Sequence, residues 1–266
     1  MRVLVTGAAG AIGRVVTAGL LERGHAVVAL DRVDAEAPPA AETMVADVLD
    51  TGVARSAVSS VDGVVHLASI PHEASLPDIL ESHVHTIAAL LDVMVTTGCR
   101  RMVYASSNHA VGRAPRTELL TTSTRPRPDS FYGVGKVAAE ALGSLYADRH
   151  GLDVVACRIG SFLDRPKSRR HLSTWLSHGD AVRMVEAALT TPGPGFAVLY
   201  GISANSRGWW DLAPGRALGY DPQDDAEAYA EEMLASPESD DDRLEASYVG
   251  GPFAGESFVR PAFDPR

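Results

Sequence analysis

Along the first 160 residues, short apolar runs alternate with longer stretches in which apolar side chains recur at every third or fourth position. Continuous apolar runs predict buried strands, and the longer spacing predicts amphipathic helices that pack on them. The predicted strands are residues 3–5, 26–30, 44–46, 63–68, 101–105 and 153–159. The predicted helices are residues 11–23, 78–97 and 130–150.

The alternation of strand and helix, with short turns between them, is typical of a parallel sheet covered by helices on both faces. After Gly160 the pattern weakens, although a helix at about 180–190 and a strand at about 196–200 are predicted to return to the core. We therefore predict an α/β fold. A Rossmann-type, doubly wound parallel sheet occupies residues 1–160, and a small C-terminal substrate-binding portion occupies residues 161–266.

The charge of the chain narrows its choice of partners. The formal net charge is −10, and negative charge repels phosphate backbones and anionic lipid. We therefore expect neither nucleic acid nor a membrane as a partner. No apolar run approaches the ~18–20 residues of a membrane span, and a strand that begins at residue 3 predicts that no signal peptide precedes the fold.

The two cysteines, Cys99 and Cys157, lie in apolar surroundings and outside any Cys-x-x-Cys or Cys/His cluster. Buried, reduced thiols of this kind are typical of cytoplasmic proteins. We therefore predict a cytoplasmic protein without a metal site.

A glycine-rich turn, Thr6-Gly7-Ala8-Ala9-Gly10-Ala11-Ile12-Gly13, joins the first predicted strand to the first helix. Gly7 permits the tight turn, Gly10 lets the backbone approach a pyrophosphate, and Gly13 lets the helix pack closely on the strand. The unpaired N–H groups of the helix start, at Ala11 and Ile12, then face the phosphates. In this position the pattern predicts a dinucleotide site.

The second predicted strand ends at Asp31, about twenty residues after the turn, as the fingerprint requires. A carboxylate there accepts hydrogen bonds from an adenosine ribose and repels a 2′-phosphate, so NAD is predicted over NADP. Arg32 either softens that preference or is a solvated loop cation. Asp47, followed by Val48, either accepts from the adenine amino group or caps a turn. The remaining predicted cofactor contacts lie at the end of the fourth predicted strand and directly after it: Leu67, Ala68 and Ser69.

Tyr132 and Lys136 lie four residues apart and therefore on one face of the helix that follows the fifth strand. A lysine in that position can hold a phenolate and lower the tyrosine pKa from about 10 toward the working pH. Ser106 and Ser107 close the fifth strand, at the same edge of the sheet. The order of glycine-rich turn, ribose acid, strand-end serines and Tyr-x-x-x-Lys predicts an oxidoreductase.

Over residues 1–200 these motifs resemble the extended branch of the short-chain dehydrogenase/reductase superfamily, in which Ser107 would complete a triad with Tyr132 and Lys136. Further segments are similar to bacterial uronate dehydrogenases across nearly the whole chain. They are Ala105-Ser106-Ser107-Asn108-His109, Tyr132-Gly133-Val134-Gly135-Lys136, Arg158-Ile159-Gly160-Ser161, Leu172-Ser173-Thr174-Trp175, Ser203-Ala204-Asn205 and Gly208-Trp209-Trp210-Asp211. The resemblance implies NAD-dependent oxidation of an aldohexuronic acid, such as glucuronate or galacturonate, at C1 to the aldarolactone.

The resemblance also assigns roles on the substrate side. Ser107 would hydrogen-bond the reacting oxygen, Asn108, His109 and Ser161 would hydrogen-bond sugar hydroxyls, and Arg170 would hold the C6 carboxylate. A guanidinium suits that last role because it binds a carboxylate with two parallel hydrogen bonds. From the residues alone, the basic loop that contains Arg170 is equally well a solvated surface.

The chain departs from the family at three positions, one of which is Phe162, which replaces a smaller residue after Ser161. Pro71 falls where the family has a substrate-binding serine, so His72 or Ser69 is expected to take its place. The family has an asparagine in its own fourth helix, and His83, in the predicted helix 78–97, takes that position here. These departures bear on sugar preference and rate more than on the type of reaction.

Two other functions are compatible with these motifs. One is a sugar epimerase or dehydratase of the same superfamily, which would usually need a nucleotide handle on its substrate and therefore a larger C-terminal lobe. The other is a non-catalytic NAD-sensing protein, which would have no need of Ser107, Tyr132 and Lys136 together. A small-molecule sugar acid is the expected partner, and the family resemblance adds a homo-oligomer.

Overall fold

The computed structural model describes residues 1–116, 119–255, 258 and 260–263, and its strands lie close to the predicted apolar runs. The strands in this part of the chain are β1 (Arg2–Thr6), β2 (Ala26–Asp31), β3 (Glu42–Val45), β4 (Gly63–His66), β5 (Arg101–Ser107), β6 (Asp153–Ile159), β7 (Ser161–Phe162), β8 (Trp175–Leu176) and β9 (Phe196–Gly201). The α-helices are α1 (Ala11–Glu22), α2 (Thr51–Val58), α3 (Leu76–Ile79), α4 (Thr86–Thr97), α5 (Phe131–His150), α6 (His171–Thr174), α7 (His178–Thr190), α8 (Ala213–Ala217), α9 (Ala230–Leu234) and α10 (Asp240–Ser247).

Seven strands pair in parallel in the order β3-β2-β1-β4-β5-β6-β9. The chain moves outward from β1 to β3, crosses back to β4, and then moves outward in the other direction. This is the doubly wound order that the alternating pattern predicts, so the predicted fold class is confirmed. In such sheets a crevice opens at the carboxyl ends of the strands where the order reverses, here between β1 and β4.

Two apolar cores cover the two faces of the sheet. On one face, α1 and α7 pack on the strands, with Val16, Leu20 and Met184 fully buried. Gly19 makes this helix pair possible, because a Cβ added there would lie 2.4 Å from a Val182 methyl group. On the other face, α2, α4 and α5 bury a second cluster that includes Leu90. The sheet is thus apolar on both sides, as its strands predict.

No helix is predicted between the third and fourth strands, but the structure contains one there, α2. Asp50 caps the helix by accepting hydrogen bonds from the backbone N–H groups of Gly52 and Val53. Only Ala54, Ala57 and Val58 of the helix are buried. Its 8 residues are fewer than the window of about 11–18 residues in which a helical period is recognised, so the cap was the better indicator.

The helix over residues 76–97 is continuous but not uniform, because a π-helical stretch, Leu80–His85, separates α3 from α4. Such stretches are rare and concentrate at functional sites. By length and mean hydropathy this helix could cross a membrane, but Asp78, Glu81 and Asp92 interrupt it, so it is not a continuous apolar run. Its buried residues, among them Ile87 and Met94, pack against the sheet as those of a core helix do.

The C-terminal portion returns to the carboxyl edge of the sheet. Its short strands β7 and β8 pair with each other directly after β6. The segment 248–254 lies across the loop that follows β5, since Val249 N–H donates to Ala114 O at 3.1 Å and Gly250 N–H to Gly112 O at 2.9 Å. This portion therefore covers the end of the sheet where the predicted chemistry lies.

Candidate active site

A cleft of about 830 Å³ opens at the carboxyl ends of the strands. It is lined by every residue that the sequence analysis assigned to the cofactor: Gly7, Gly10, Ala11, Ile12, Gly13, Asp31, Arg32, Asp47, Val48, Leu67, Ala68, Ser69, Tyr132 and Lys136. Ser107 and His72 also line it. The structure thus brings the predicted cofactor and catalytic groups into one cavity.

The glycine-rich turn is shaped for a ligand to approach its backbone. Gly7 has a φ of +73°, and a Cβ added there would lie 2.6 Å from the backbone nitrogen of Ala68. A Cβ at Gly13 would lie 2.2 Å from Gly7 O. Both positions therefore require glycine, which holds the turn flat and directs the start of α1 into the cleft, where its N–H groups suit a pyrophosphate.

Asp31 ends β2 at the far side of the same turn. Its carboxylate accepts from Ala9 N–H at 3.0 Å and, more weakly, from Val33 N–H at 3.4 Å. A carboxylate offers about four acceptor sites, so Asp31 retains capacity for a ribose. Together with the glycine-rich turn, this donor and acceptor set fits a dinucleotide.

Lys136 lies in α5 one turn after Tyr132 and is buried at 3% exposure. Its Nζ donates to Ala105 O at 2.7 Å and to Ser69 Oγ at 3.3 Å. The same nitrogen lies 5.3 Å from the centre of the Tyr132 ring. Ser107 hydrogen-bonds the Tyr132 side chain, so the three predicted catalytic residues form one connected group.

Burial dominates the electrostatics of this group. Burial raises the pKa of Tyr132 to about 12; the hydrogen bond from Ser107 lowers it and the charge of Asp129 raises it further. Burial likewise lowers the pKa of Lys136 to about 7, against the opposing charge of Glu140. The sequence analysis expected a lowered tyrosine pKa. The direction is the opposite here, because desolvation outweighs the lysine, which directs its hydrogen bonds to Ala105 and Ser69.

A buried ion pair fixes α5 against the sheet behind the site. Glu140 lies one turn after Lys136 and accepts from Ser106 Oγ at 2.5 Å. Arg158, in β6, donates to both Glu140 oxygens at 2.9 and 2.8 Å. The network ties β5, β6 and α5 together, and the sequence analysis noted Ser106 and Arg158 but not their shared partner.

Glu73 was also missed, although it joins the loop after β4 to the start of α5. Its two carboxylate oxygens accept from Phe131 N–H at 3.0 Å and Tyr132 N–H at 2.8 Å. Carboxylates favour helix N-termini, but no sequence spacing connects residues 58 positions apart. The backbone of Tyr132 is therefore positioned by a residue of the loop that contains Pro71 and His72.

The predicted substrate residues form a second group next to Ser107 and Tyr132. Asn108 accepts from Ser107 Oγ at 3.2 Å and donates to Val249 O at 3.4 Å. Arg170 donates to the same carbonyl oxygen at 2.7 Å and to Ser161 Oγ at 3.2 Å. Asn108, Ser161 and Arg170 are thus brought together under the segment 248–254, outside the set of residues that line the cleft.

Arg170 is a half-buried cation whose guanidinium is only partly paired among the described residues. Burial lowers its pKa; Glu245 opposes the shift and the neighbouring Arg116 cation adds to it. Its Nε is buried and has no hydrogen-bond partner among the described residues. A guanidinium with a spare buried donor is a suitable position for a ligand carboxylate.

Tyr132 is flanked by two imidazoles. His83, at the departure from the family asparagine, meets the Tyr132 ring edge-on at 5.2 Å and donates from Nε2 to Ile70 O at 3.0 Å. Burial lowers its pKa to about 3, so it is neutral. His109 meets the other side at 5.6 Å. By contrast, His72 is exposed and contacts only the neighbouring Glu73 carbonyl among the described residues.

Comparisons with known proteins agree with this arrangement. A model of the NAD dependent epimerase/dehydratase family matches residues 3–192. A uronate dehydrogenase from Pseudomonas syringae pv. tomato is 35% identical over 255 residues, which are 95% of this chain and 92% of that protein. A uronate dehydrogenase from Agrobacterium fabrum is 37% identical over 254 residues, covering 95% and 96% of the two chains.

The fold is similar to that of a solved structure as well. A crystal structure of a uronate dehydrogenase mutant from Agrobacterium tumefaciens, complexed with NAD, is 36% identical and has a TM-score of 0.91. The match covers 99% of both chains. The chain therefore belongs to the NAD-dependent epimerase/dehydratase family and is an NAD-dependent oxidoreductase.

Proposed function

We propose that this protein oxidises an aldohexuronic acid, glucuronate or galacturonate, at C1 to the aldarolactone with NAD⁺. The observation that carries the proposal is the position of Arg170, a half-buried arginine whose buried Nε has no hydrogen-bond partner among the described residues. It lies beside Asn108 and Ser161 in the group that adjoins Tyr132. A free carboxylate there would pair the cation, and the named activity of the relatives supports that choice of ligand.

In the proposed reaction the sugar loses one hydride and one proton. Tyr132, as phenolate, removes the proton of the C1 hydroxyl, and Ser107 donates a hydrogen bond to the oxygen that becomes the lactone carbonyl. NAD⁺, when bound, accepts the hydride from C1. Because the substrate is a cyclic hemiacetal, loss of the two hydrogens gives the lactone directly, and NADH and a proton are the other products.

Lys136 is proposed to help Tyr132 lose its proton. Its pKa of about 7 lets it exchange protons at neutral pH, whereas the buried Tyr132 alone holds its proton up to about pH 12. As ammonium, Lys136 stabilises the phenolate across the helix turn, at a cost that its contacts with Ala105 and Ser69 reduce. Arg170 fixes the far end of the sugar, so that C1 stays in reach of Tyr132.

The proposed reaction has a small-molecule substrate and takes place in the cytoplasm. The substrate is a free sugar acid without a nucleotide, and the acidic charge of the chain supports neither nucleic acid nor membrane as a partner. Two free, buried thiols support a cytoplasmic location. The protein is also proposed to form a homo-oligomer.

Comparing galacturonate with galactose tests the role of Arg170. In the wild type, kcat/KM for the acid is expected to exceed that for the neutral sugar by about 10⁴, because galactose leaves the Arg170 cation without a carboxylate partner once the sugar covers it. Arg170→Ala should abolish most of that difference, and Arg170→Lys should raise KM because it loses the planar fork. Arg165→Ala, in the same loop but exposed and paired with Glu232, is the matched control. Equal use of both sugars by the wild type would refute the proposal.

A further inference from the structure

A buried carboxylate, Asp129, holds the imidazole of His109. The Asp129 side chain is 0% exposed, and its Oδ2 lies 2.8 Å from His109 Nδ1. Its other oxygen accepts from Ser130 Oγ at 2.8 Å. Asp129 lies in the loop before α5, two residues before the helix begins, and the sequence analysis did not single it out. Its position places it between the catalytic helix and the predicted substrate residue His109.

Two glycines close around this carboxylate. A Cβ added at Gly112 would lie 1.8 Å from Asp129 Oδ2, and one added at Gly250 would lie 1.7 Å from it. Their φ angles lie outside the positive region that only glycine favours, so the need for glycine is one of space. The loop after β5 and the C-terminal segment 248–254 therefore leave room for this carboxylate and for little else.

The contact decides which nitrogen of His109 carries the proton. An ionised carboxylate only accepts hydrogen bonds, so a neutral His109 must place its proton on Nδ1 and leave Nε2 as an acceptor. Among the described residues no group hydrogen-bonds Nε2, and the side chain keeps 18% exposure. The ring lies between Tyr132, at 5.6 Å, and Phe253, at 4.7 Å.

We propose that Asp129 is a positioning residue that fixes His109 in its Nδ1–H form, so that Nε2 accepts a hydrogen bond from a hydroxyl of the sugar held against Tyr132. The inference rests on the proposed function, because it names how that substrate site selects its ligand. It implies a site that requires a hydroxyl donor beside the reacting carbon, in addition to the carboxylate at Arg170. Asp129 itself touches His109 and does not touch the substrate.

Through its charge alone, Asp129 would hinder the reaction rather than assist it. Its negative charge raises the pKa of Tyr132, so removing the charge should make the phenolate easier to form. A variant without the carboxylate that nevertheless loses activity must therefore lose it through geometry. Asp129→Asn suits this test because it keeps the shape while its amide can donate as well as accept, so the tautomer of His109 is no longer fixed.

A double-mutant cycle over Asp129→Asn and His109→Gln tests the inference with galacturonate and NAD⁺. Each single variant should lower kcat/KM by about 10–100-fold, as the loss of an orienting partner typically does. The double variant should be no worse than the poorer single one, because Asp129 acts through His109. NAD⁺ affinity should stay unchanged, since the cofactor cleft lies elsewhere. Asp50→Asn, which alters the cap of α2, is the matched control and should leave activity unchanged.

Losses that multiply in the double variant would overturn the inference, because Asp129 would then act independently of His109. A second measurement does not depend on the reaction. The chain has 9 histidines, and His109→Gln identifies the resonances of His109 in the NMR spectrum of protein labelled with ¹⁵N-histidine. Wild type should show the Nδ1–H form, and an Nε2–H form would overturn the inference even if uronates are not the substrate. Failure of uronate oxidation with an Nδ1–H His109 would refute only the proposed function.

Discussion

Tyr132 and Lys136 are shifted in opposite directions by the same burial. The pKa of Tyr132 rises to about 12 and that of Lys136 falls to about 7, because the charged form of each is desolvated. At pH 7 Tyr132 is therefore neutral, whereas Lys136 is about half protonated. When the Tyr132 proton moves toward Lys136, a phenolate and an ammonium form together. Their opposite charges stabilise each other, and this offsets the cost of burying each charge.

Removing the Tyr132 hydroxyl is expected to remove the acid–base step. Tyr132→Phe keeps the ring between His83 and His109, so kcat should fall by roughly 10²–10⁴ while NAD⁺ affinity survives. Initial rates with galacturonate and a separate NAD⁺ titration measure the two quantities. Tyr146→Phe, at a half-buried position of the same helix outside the residues that line the cleft, is the control. A Phe variant with near wild-type turnover would contradict the assigned role.

Asp31 should decide between the two nicotinamide cofactors. A 2′-phosphate beside this carboxylate would meet repulsion and desolvation, so wild type should have a much higher kcat/KM with NAD⁺ than with NADP⁺. Asp31→Ala should lower the ratio of kcat/KM with NAD⁺ to kcat/KM with NADP⁺, mainly because NAD⁺ binding becomes weaker. Asp34→Ala, in the neighbouring loop, should leave the ratio unchanged. Equal wild-type efficiency with both cofactors would show that another group reads the ribose.

Residues that act through local spacing could be predicted from the sequence. The glycine-rich turn, Asp31 and the Tyr132–Lys136 pair lie at fixed distances along the chain, and all of them line one cleft. Glu73 and Asp129 could not be found in this way. Their partners are a helix start 58 residues away and an imidazole 20 residues away, and only the closed fold brings those groups together.

At the scale of elements, helix α5 is the part on which the chemistry depends. Ser130 caps it by accepting from Gly133 N–H at 3.1 Å, and Glu73 accepts from the two preceding N–H groups. Its next turns are held by the buried Glu140–Arg158 pair. The helix is thus fixed at its start by the loop after β4 and further along by β6, which sets the direction of Tyr132.

Neutralising Glu73 should loosen the start of α5. Glu73→Gln keeps one oxygen acceptor but loses the second and the charge, so unfolding should become easier by about 1–2 kcal/mol. Because Tyr132 N–H is one of the two donors, kcat should fall more than NAD⁺ affinity. Chemical denaturation and initial rates measure the two effects. Glu22→Gln, at the exposed end of α1, is the matched control, and equal stability of both variants would contradict the role.

Elements were predictable where a continuous apolar run or a long helical stretch marked them. The six strands through β6 and the helix α5 of 20 residues were found in this way, whereas α2, with 8 residues, was too short to be recognised. The π-helical stretch Leu80–His85 could not be predicted either. The stretch has only 6 residues, too few for a change of helical period to show in the sequence, and the hydrogen bond between His83 and Ile70 O forms only in the packed helix.

Across the whole molecule, several imidazoles are buried in neutral form. Burial, together with the charge of Lys136, lowers the pKa of His66 from 6.5 to about 3. His83 behaves in the same way, and burial lowers the pKa of His171 to about 4. In the unfolded chain these groups return to about 6.5. The folded and unfolded states therefore differ in bound protons over a defined range of pH.

Acid should consequently destabilise the protein through these histidines. Between pH 6.5 and about 3 the unfolded chain binds a proton at His66 that the folded chain refuses, so the free energy of unfolding must fall as pH falls through this window. One group contributes at most about 1.4 kcal/mol per pH unit. His66→Gln should flatten the dependence measured by urea unfolding from pH 7 to 4, whereas His85→Gln, at an exposed position, should not. Carboxylates titrate equally in all three proteins, so identical slopes for wild type and His66→Gln would show that the His66 pKa is not lowered.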